Sequence, residues 1–356
     1  MITESDINTV LDKHISIIVN NILNALEHKP ESIYLVGGYG RGEGSWFVND
    51  GQLSPYNDYD LSVITDYPLS SEKTNSLRKR IAELVGIKWV DINYYSKKKL
   101  ESLKKTVHNY DFLMSGRLIY GSDCLAKIRK FNKTEIGRHD ILISYRTRLW
   151  TFLGSWDGPF RDLDISEARF FKNQMAKAVL AGCDMRLVCK HQYVTSYVKR
   201  ASMICEQLGD NKEFRELVQW AITEKLRPSS SSLSSKEMEA LYFKAKQFFI
   251  SSLRYSWPNA YINLIKRNNP KWFFYTRTPL LLSYIYGMIK YHSIKTKKSF
   301  EIFMAMNSVF LANNKGRINA QYVMKANEIL KKYGYITENK EWEDLHTIVA
   351  DARNNI

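Results

Sequence analysis

Apolar side chains recur every three or four positions over residues 3–29, where Val10, Leu11, Ile15, Ile18, Val19, Ile22 and Leu23 form one stripe. That spacing predicts an amphipathic helix, which Pro30 ends. The pattern then changes. Ile33 to Val36 is a short apolar run bounded by glycines, and residues 57–64 and 87–95 are two further strand-like runs. A helical period returns over 71–85. Residues 111–121 predict a turn, a short strand and a closing glycine. Beyond 138 the period is helical almost throughout, with Ile141, Leu142, Tyr145, Leu149 and Phe152 on one face and Ser166 as the N-cap of the next helix. Later helices are predicted over 236–254, 280–292, 299–313 and 318–333, interrupted at Pro258, Pro270, Pro279 and Gly316. The expected fold is α/β: an N-terminal domain with a mixed sheet flanked by helices over 1–130, then a mainly α-helical C-terminal region. A helical domain is expected over 131–226 and a last helical region over 236–356, separated by the Ser-rich stretch 227–235, read as a flexible connection.

The chemistry concentrates near the first strand. Gly37-Gly-Tyr-Gly-Arg-Gly-Glu43 follows it directly, and Gly37 and Gly38 permit positive φ and the close approach of a bare backbone to a ligand. Backbone N–H groups freed at a helix start there suit phosphate oxygens, and Arg41 adds a bidentate donor. Asn57-Asp-Tyr-Asp-Leu-Ser-Val-Ile64 carries two carboxylates on alternate residues, so on a strand Asp58 and Asp60 project to one side. Two such charges repel unless a cation lies between them. Mg²⁺ suits them, because it completes its shell with water and phosphate oxygens. Asp91, within Trp89-Val-Asp-Ile-Asn-Tyr94, offers a third acid for a two-ion site.

Hydrophobic strand, Gly-Gly turn, Asp-x-Asp and a later strand-borne acid together resemble the signature of the nucleotidyltransferases related to DNA polymerase β. The glycine turn is similar to that of the bacterial uridylyltransferase acting on the PII protein. The resemblance covers about the first third of the chain. It implies transfer of a nucleoside monophosphate from a nucleoside triphosphate to a hydroxyl of an acceptor, with release of pyrophosphate. It implies Mg²⁺ as cofactor, two ions, with Mn²⁺ as the alternative. Site residues carried over are Gly37, Gly38, Arg41 and Ser45 toward the nucleotide, and Asp58, Asp60 and Asp91 toward metal and catalysis. The acceptor stays open: an RNA end, a protein side chain or a small molecule. A catalytically silent nucleotide- or RNA-binding module is the other reading. One departure stands out. Nineteen residues separate Gly38 from Asp58 where the family has about ten, and Asn49-Asp-Gly51 within them predicts an inserted hairpin. Glu43 is then expected to be a local cap or a partner of Arg41.

Charge adds one point. Residues 1–130 hold 17 Lys and Arg against 16 Asp and Glu, and the remainder 35 against 21, so nearly all of the net +15 lies in the helical part. An excess of that size favours anionic partners such as RNA. Tyr193 and Tyr197, read at i and i+4 on a helix, with Lys199 and Arg200, are candidates for nucleotide contacts. The aromatic group Trp257, Trp272, Phe273, Phe274 and Tyr275 among Lys266, Arg267, Lys271 and Arg277 reads first as a packed helix corner and, alternatively, as a stacking surface for bases. Four cysteines without C-x-x-C spacing and a polar, acidic start to the chain fit a cytoplasmic protein. The longest apolar stretch, 279–289, is too short to span a bilayer, so membrane insertion is not expected.

Overall fold

The computed structural model describes residues 3–49, 51–156, 158–268, 294–337 and 341–354. The expected helix 280–292 and the aromatic residues 272–275 lie outside them. The chain is α/β, with a mixed four-stranded sheet in its N-terminal part and a mostly helical C-terminal region. It divides into two compact units. The first holds residues up to Ile136 together with Tyr193–Lys199 and Lys225–Pro228, and the second holds the rest.

In the first unit, α1 (Glu4–Ala25) starts from Thr3, whose hydroxyl accepts the Asp6 N–H while the Asp6 carboxylate accepts the Thr3 N–H. Strand β1 (Ser32–Val36) leads into a single helical turn, α2 (Gly37–Gly40). The expected hairpin follows as β2 (Trp46–Asn49) and β3 (Gln52–Pro55), with Gly51 at φ 77° in its turn. Strand β4 (Tyr59–Ile64), α3 (Ser71–Val85) and β5 (Val90–Tyr95) come next, α3 starting at a Ser70 cap and stopping at Gly86 with φ 69°. After α4 (Lys97–Glu101) the segment read as a turn is helical: α5 (Val107–Ser115) carries Asp111 and is followed by β6 (Arg117–Gly121). The strand order is β5-β4-β1-β6, with β1 antiparallel to both β4 and β6, and β4 parallel to β5.

The period of two along each strand sorts side chains between two cores. Ile33, Leu35, Tyr59, Leu61, Val63, Val90 and Ile92 pack with the apolar faces of α1 and α3. Tyr34, Val36, Ile64 and Tyr95 pack on the other face with Leu100 of α4 and Phe112 and Leu113 of α5. Asp60 and Asp91 have the parity of that second face and lie at the end of the sheet where its apolar cover stops.

In the second unit, α6 (His139–Leu153) and α7 (Ile165–Cys189) pack together and α7 packs along α10 (Ser235–Ser256). The cap of α7 is Asp164 rather than Ser166. Its carboxylate accepts the Glu167 N–H, and Glu167 returns the bond to the Asp164 N–H. Helix α8 (Tyr197–Gln207) begins in the first unit, so Tyr193 precedes it and the two tyrosines do not share a helical face. Next come α9 (Lys212–Leu226) and α11 (Pro258–Tyr261), then α12 (Ile294–Ala312), α13 (Ala320–Lys332) and α14 (Trp342–Asn354). The Ser-rich stretch differs from its reading as a divider. The Lys172 ammonium donates to the Ser229 and Ser231 hydroxyls and the Ser231 carbonyl, and Leu163 and Leu233 exchange backbone bonds. Hydroxyls dense enough to satisfy a buried lysine tie this loop to α7, and from Ser229 onward it belongs with α7 and α10 to the second unit.

Candidate functional site

The sheet brings Gly37, Asp60 and Asp91 together. Val36, the last residue of β1, is paired with Asp60, so the chain turns over that carboxylate as it leaves the strand. Gly37 takes φ 65°, and a Cβ there would collide with Oδ2 of Asp60. Only glycine meets both demands. Asp60 in turn pairs with Asp91 across the parallel β4 and β5. Strands lie ~4.8 Å apart and paired residues share a face, so the two acids are cross-strand neighbours. Both are partly exposed. Oδ1 of Asp91 accepts a hydrogen bond of 2.8 Å from Nε1 of Trp89.

Asp58 departs from its expected place. It precedes β4, is exposed, and does not share the strand geometry that fixes Asp60. Tyr59 starts the strand fully buried on the α1 side, with its hydroxyl 3.0 Å from Nδ1 of His14. Burial holds the Tyr59 phenol up and the His14 imidazole below its ordinary value. Among the described residues no three His, Cys, Asp or Glu side chains are gathered as a metal site. What the sheet provides is a pair of acids rather than the expected triad.

The remaining turn residues are engaged by protein. Gly38 accepts the Glu43 N–H through its carbonyl at 2.8 Å, and a Cβ on it would press on the Glu43 carbonyl oxygen at 3.1 Å. The Arg41 guanidinium is 5% exposed, 3.5 Å from the Glu43 carboxylate and 3.3 Å from that of Asp111, with the Tyr197 ring 4.5 Å away. A phosphate role for Arg41 would have to compete with those two acids. Ser45 is buried and its hydroxyl donates to the Lys225 carbonyl, an internal contact in place of the expected nucleotide contact. Tyr39 donates to the Ser45 carbonyl at 2.7 Å, and burial raises its phenol, helped by Tyr59 and Asp58.

Glu43 is the expected partner of Arg41, but the helix start it caps is not local. Besides facing Arg41, it accepts from the Ser196 hydroxyl (2.7 Å) and from the N–H groups of Tyr197 (2.8 Å) and Val198 (3.3 Å) at the start of α8. A carboxylate there satisfies donors that a helix start leaves open. The Tyr193 hydroxyl donates to Asp111 at 3.0 Å. Sequence reasoning missed Asp111 and Trp89. Asp111 gave no signal because its partners are 70 and 82 positions away, whereas Trp89, two residues before Asp91, had the spacing that puts both on one side of a strand.

The donor set at Asp60 and Asp91 is all oxygen. It fits a hard divalent cation that binds one or two carboxylates and takes its other ligands from water and phosphate, as Mg²⁺ does and Mn²⁺ can. No family model, curated protein or solved structure matches the chain.

Proposed function

We propose that this protein transfers a nucleoside monophosphate from a nucleoside triphosphate to an acceptor hydroxyl, using the Asp60 and Asp91 pair beside the Gly37-Gly38 turn. The observation that carries the reading is the Asp60 carboxylate seated against the bare Cα of Gly37 with Asp91 as its strand neighbour. The strand, glycine turn and acid-bearing strands of the sequence motif meet at one end of one sheet. Gly37 and Gly38, both partly exposed, are the backbone that would approach the triphosphate. Asp60 and Asp91 would hold Mg²⁺. When bound, that ion neutralises the triphosphate and polarises the reacting phosphorus. Asp91 would hold the ion on the acceptor side, and the hydroxyl proton leaves to water. The acceptor oxygen bonds to the α-phosphorus as the α–β bridge breaks, and pyrophosphate carries away the electron pair.

A second reading, nucleotide binding without transfer, is favoured by the absence of a gathered acid triad among the described residues. The two separate in one experiment. The protein is incubated in cell lysate with Mg²⁺ and each of four α-labelled nucleoside triphosphates, beside Asp60→Asn. Transfer predicts label on an acceptor from the wild type and none from the variant. Label from both refutes the site. Label from neither, with triphosphate binding retained by the wild type, establishes the binding module.

A further inference from the structure

We infer that Trp89 is a positioning residue that fixes the Asp91 carboxylate for divalent-cation binding. The inference rests on the nucleotidyl-transfer reading of the Asp60–Asp91 pair. The two acids are held differently. Asp60 lies on β4, between β5 and β1, and its carboxylate is packed against Gly37. Asp91 lies on β5, at the edge of the sheet, where one side has no neighbouring strand to limit its rotamers. Trp89 supplies that restraint. It stands two residues earlier, just before β5, and its indole N–H reaches Oδ1 at 2.8 Å. Oδ1 is thereby occupied, and Oδ2 is the oxygen left for a cation or a proton.

The indole is itself held. Arg78, on α3, places its guanidinium 5.8 Å from the Trp89 ring. The same guanidinium donates to the Ile92 carbonyl at 2.6 Å and to the Asn75 side chain at 3.1 Å. A cation tied to the β5 backbone and lying over the indole fixes the ring relative to the strand that carries Asp91. Helix, indole and carboxylate thus form a relay from α3 to the site. A tryptophan present only for packing would not need its N–H on the site carboxylate. Outer partners that orient a ligating carboxylate typically account for ~10- to 100-fold in metal affinity.

The test is Mn²⁺ binding to the full chain, read by the loss of the free-ion electron paramagnetic resonance signal. Wild type is compared with Trp89→Phe, Asp91→Asn and the double variant. Trp89→Phe keeps a ring for Arg78 and removes the N–H. It is expected to weaken Mn²⁺ by ~10-fold or more, and the double variant to bind no worse than Asp91→Asn alone. In transfer assays Trp89→Phe should lower kcat with little change in the KM for the triphosphate. Arg78→Met, which leaves the indole in place, should give a smaller loss in the same direction and serves if Trp89→Phe fails to fold. Mn²⁺ affinity of Trp89→Phe, or of Arg78→Met in its place, within twofold of wild type while Asp91→Asn has lost it overturns the positioning role alone. A wild type that binds no Mn²⁺ overturns the metal-site reading and this inference together.

Discussion

The two units treat their ionisable groups in opposite ways. In the first, Asp60 and Asp91 stay partly open at the end of a sheet, and the cost of two adjacent carboxylates is limited by water. In the second, Lys246 and His346 are sealed among Phe152, Trp156, Tyr242, Phe310 and Trp342. Their polar atoms go to backbone: the Lys246 ammonium donates to the Phe310 and Asn313 carbonyls at the end of α12, and Nε2 of His346 lies 2.8 Å from the Phe152 carbonyl. Burial holds Lys246 down to about 7 and His346 down to about 3. A perturbed group by itself therefore does not mark a functional site here. These two shifts belong to groups that tie helices together, and the candidate chemistry belongs to groups that solvent and a ligand can reach.

The sharpest way to break that contrast is to change a charge in each unit. Asp60→Asn should lower transfer by ~10²–10³-fold, the range for loss of one preorganised electrostatic group, with an unchanged far-ultraviolet spectrum and a melting point at or above that of wild type. A large drop in melting point would mean that Asp60 is structural after all. Glu43→Ala should do the reverse. It strips the start of α8 of its acceptor and removes one of the two acids facing a nearly buried Arg41, a loss of about 3 kcal/mol in urea unfolding. A change under ~0.5 kcal/mol would mean that Asp111 and solvent replace Glu43 fully.

How far the chain could be read in advance follows the same division. The helices over 4–25 and 71–85 and the hairpin around Gly51 were legible, because periodicity, Ser70, Gly86 and Asn-Asp-Gly are local signals. The closeness of Gly37, Asp60 and Asp91 was legible as a motif but not as a shape. Nothing local told Asp58 from Asp60, since the difference is where strand pairing stops: Asp60 is paired with Val36 and Asp91, and Asp58 precedes the strand. The tie of Arg41 and Glu43 to Asp111, Ser196 and Tyr197 was partly legible. Glu43 could be read as a cap, but the helix it caps starts more than 150 residues later. The Ser-rich stretch misled because composition reports what a loop can do when free, whereas Lys172 supplies it with partners.

Gly37→Ala tests the same site from its backbone side, with a smaller stability effect. The residue has φ 65°, which costs an L side chain about 1–2 kcal/mol, and the new methyl would meet the Asp60 carboxylate. The expected result is a loss of about 2 kcal/mol together with loss of transfer, because Asp60 must move to make room. Gly42→Ala is the control. It also has positive φ, at 74°, but nothing lies where its Cβ would go, so it should lose stability without a matching loss of transfer. Equal transfer in the two variants would show that the placement of Asp60 against the turn is immaterial to chemistry.

The smallest effect per step is the pH dependence written into the helical unit. A lysine whose folded value is depressed from 10.5 to about 7 is protonated in the unfolded chain and largely neutral in the folded chain between those values. The unfolded state then binds the extra proton, so stability rises with pH across this window, by at most about 1.4 kcal/mol per pH unit, and falls as pH drops toward 7. His346 gives a separate rise between about 3 and 6.5 by the same sign. Above about 10 the trend reverses, because burial raises the Tyr145 and Tyr242 phenols and the unfolded chain loses protons that the folded chain keeps. Urea unfolding from pH 7 to 9.5 follows the lysine together with the buried Cys183 thiol, whose raised value opposes the rise from about 9 upward, so the difference between wild type and a lysine variant isolates the lysine. Lys246→Met, similar in length and without a charge to desolvate, should flatten that segment and leave the rise below 6.5 in place. A wild-type curve already flat from 7 to 9.5 would mean that the Phe310 and Asn313 carbonyls hold the ammonium charged inside the helical core.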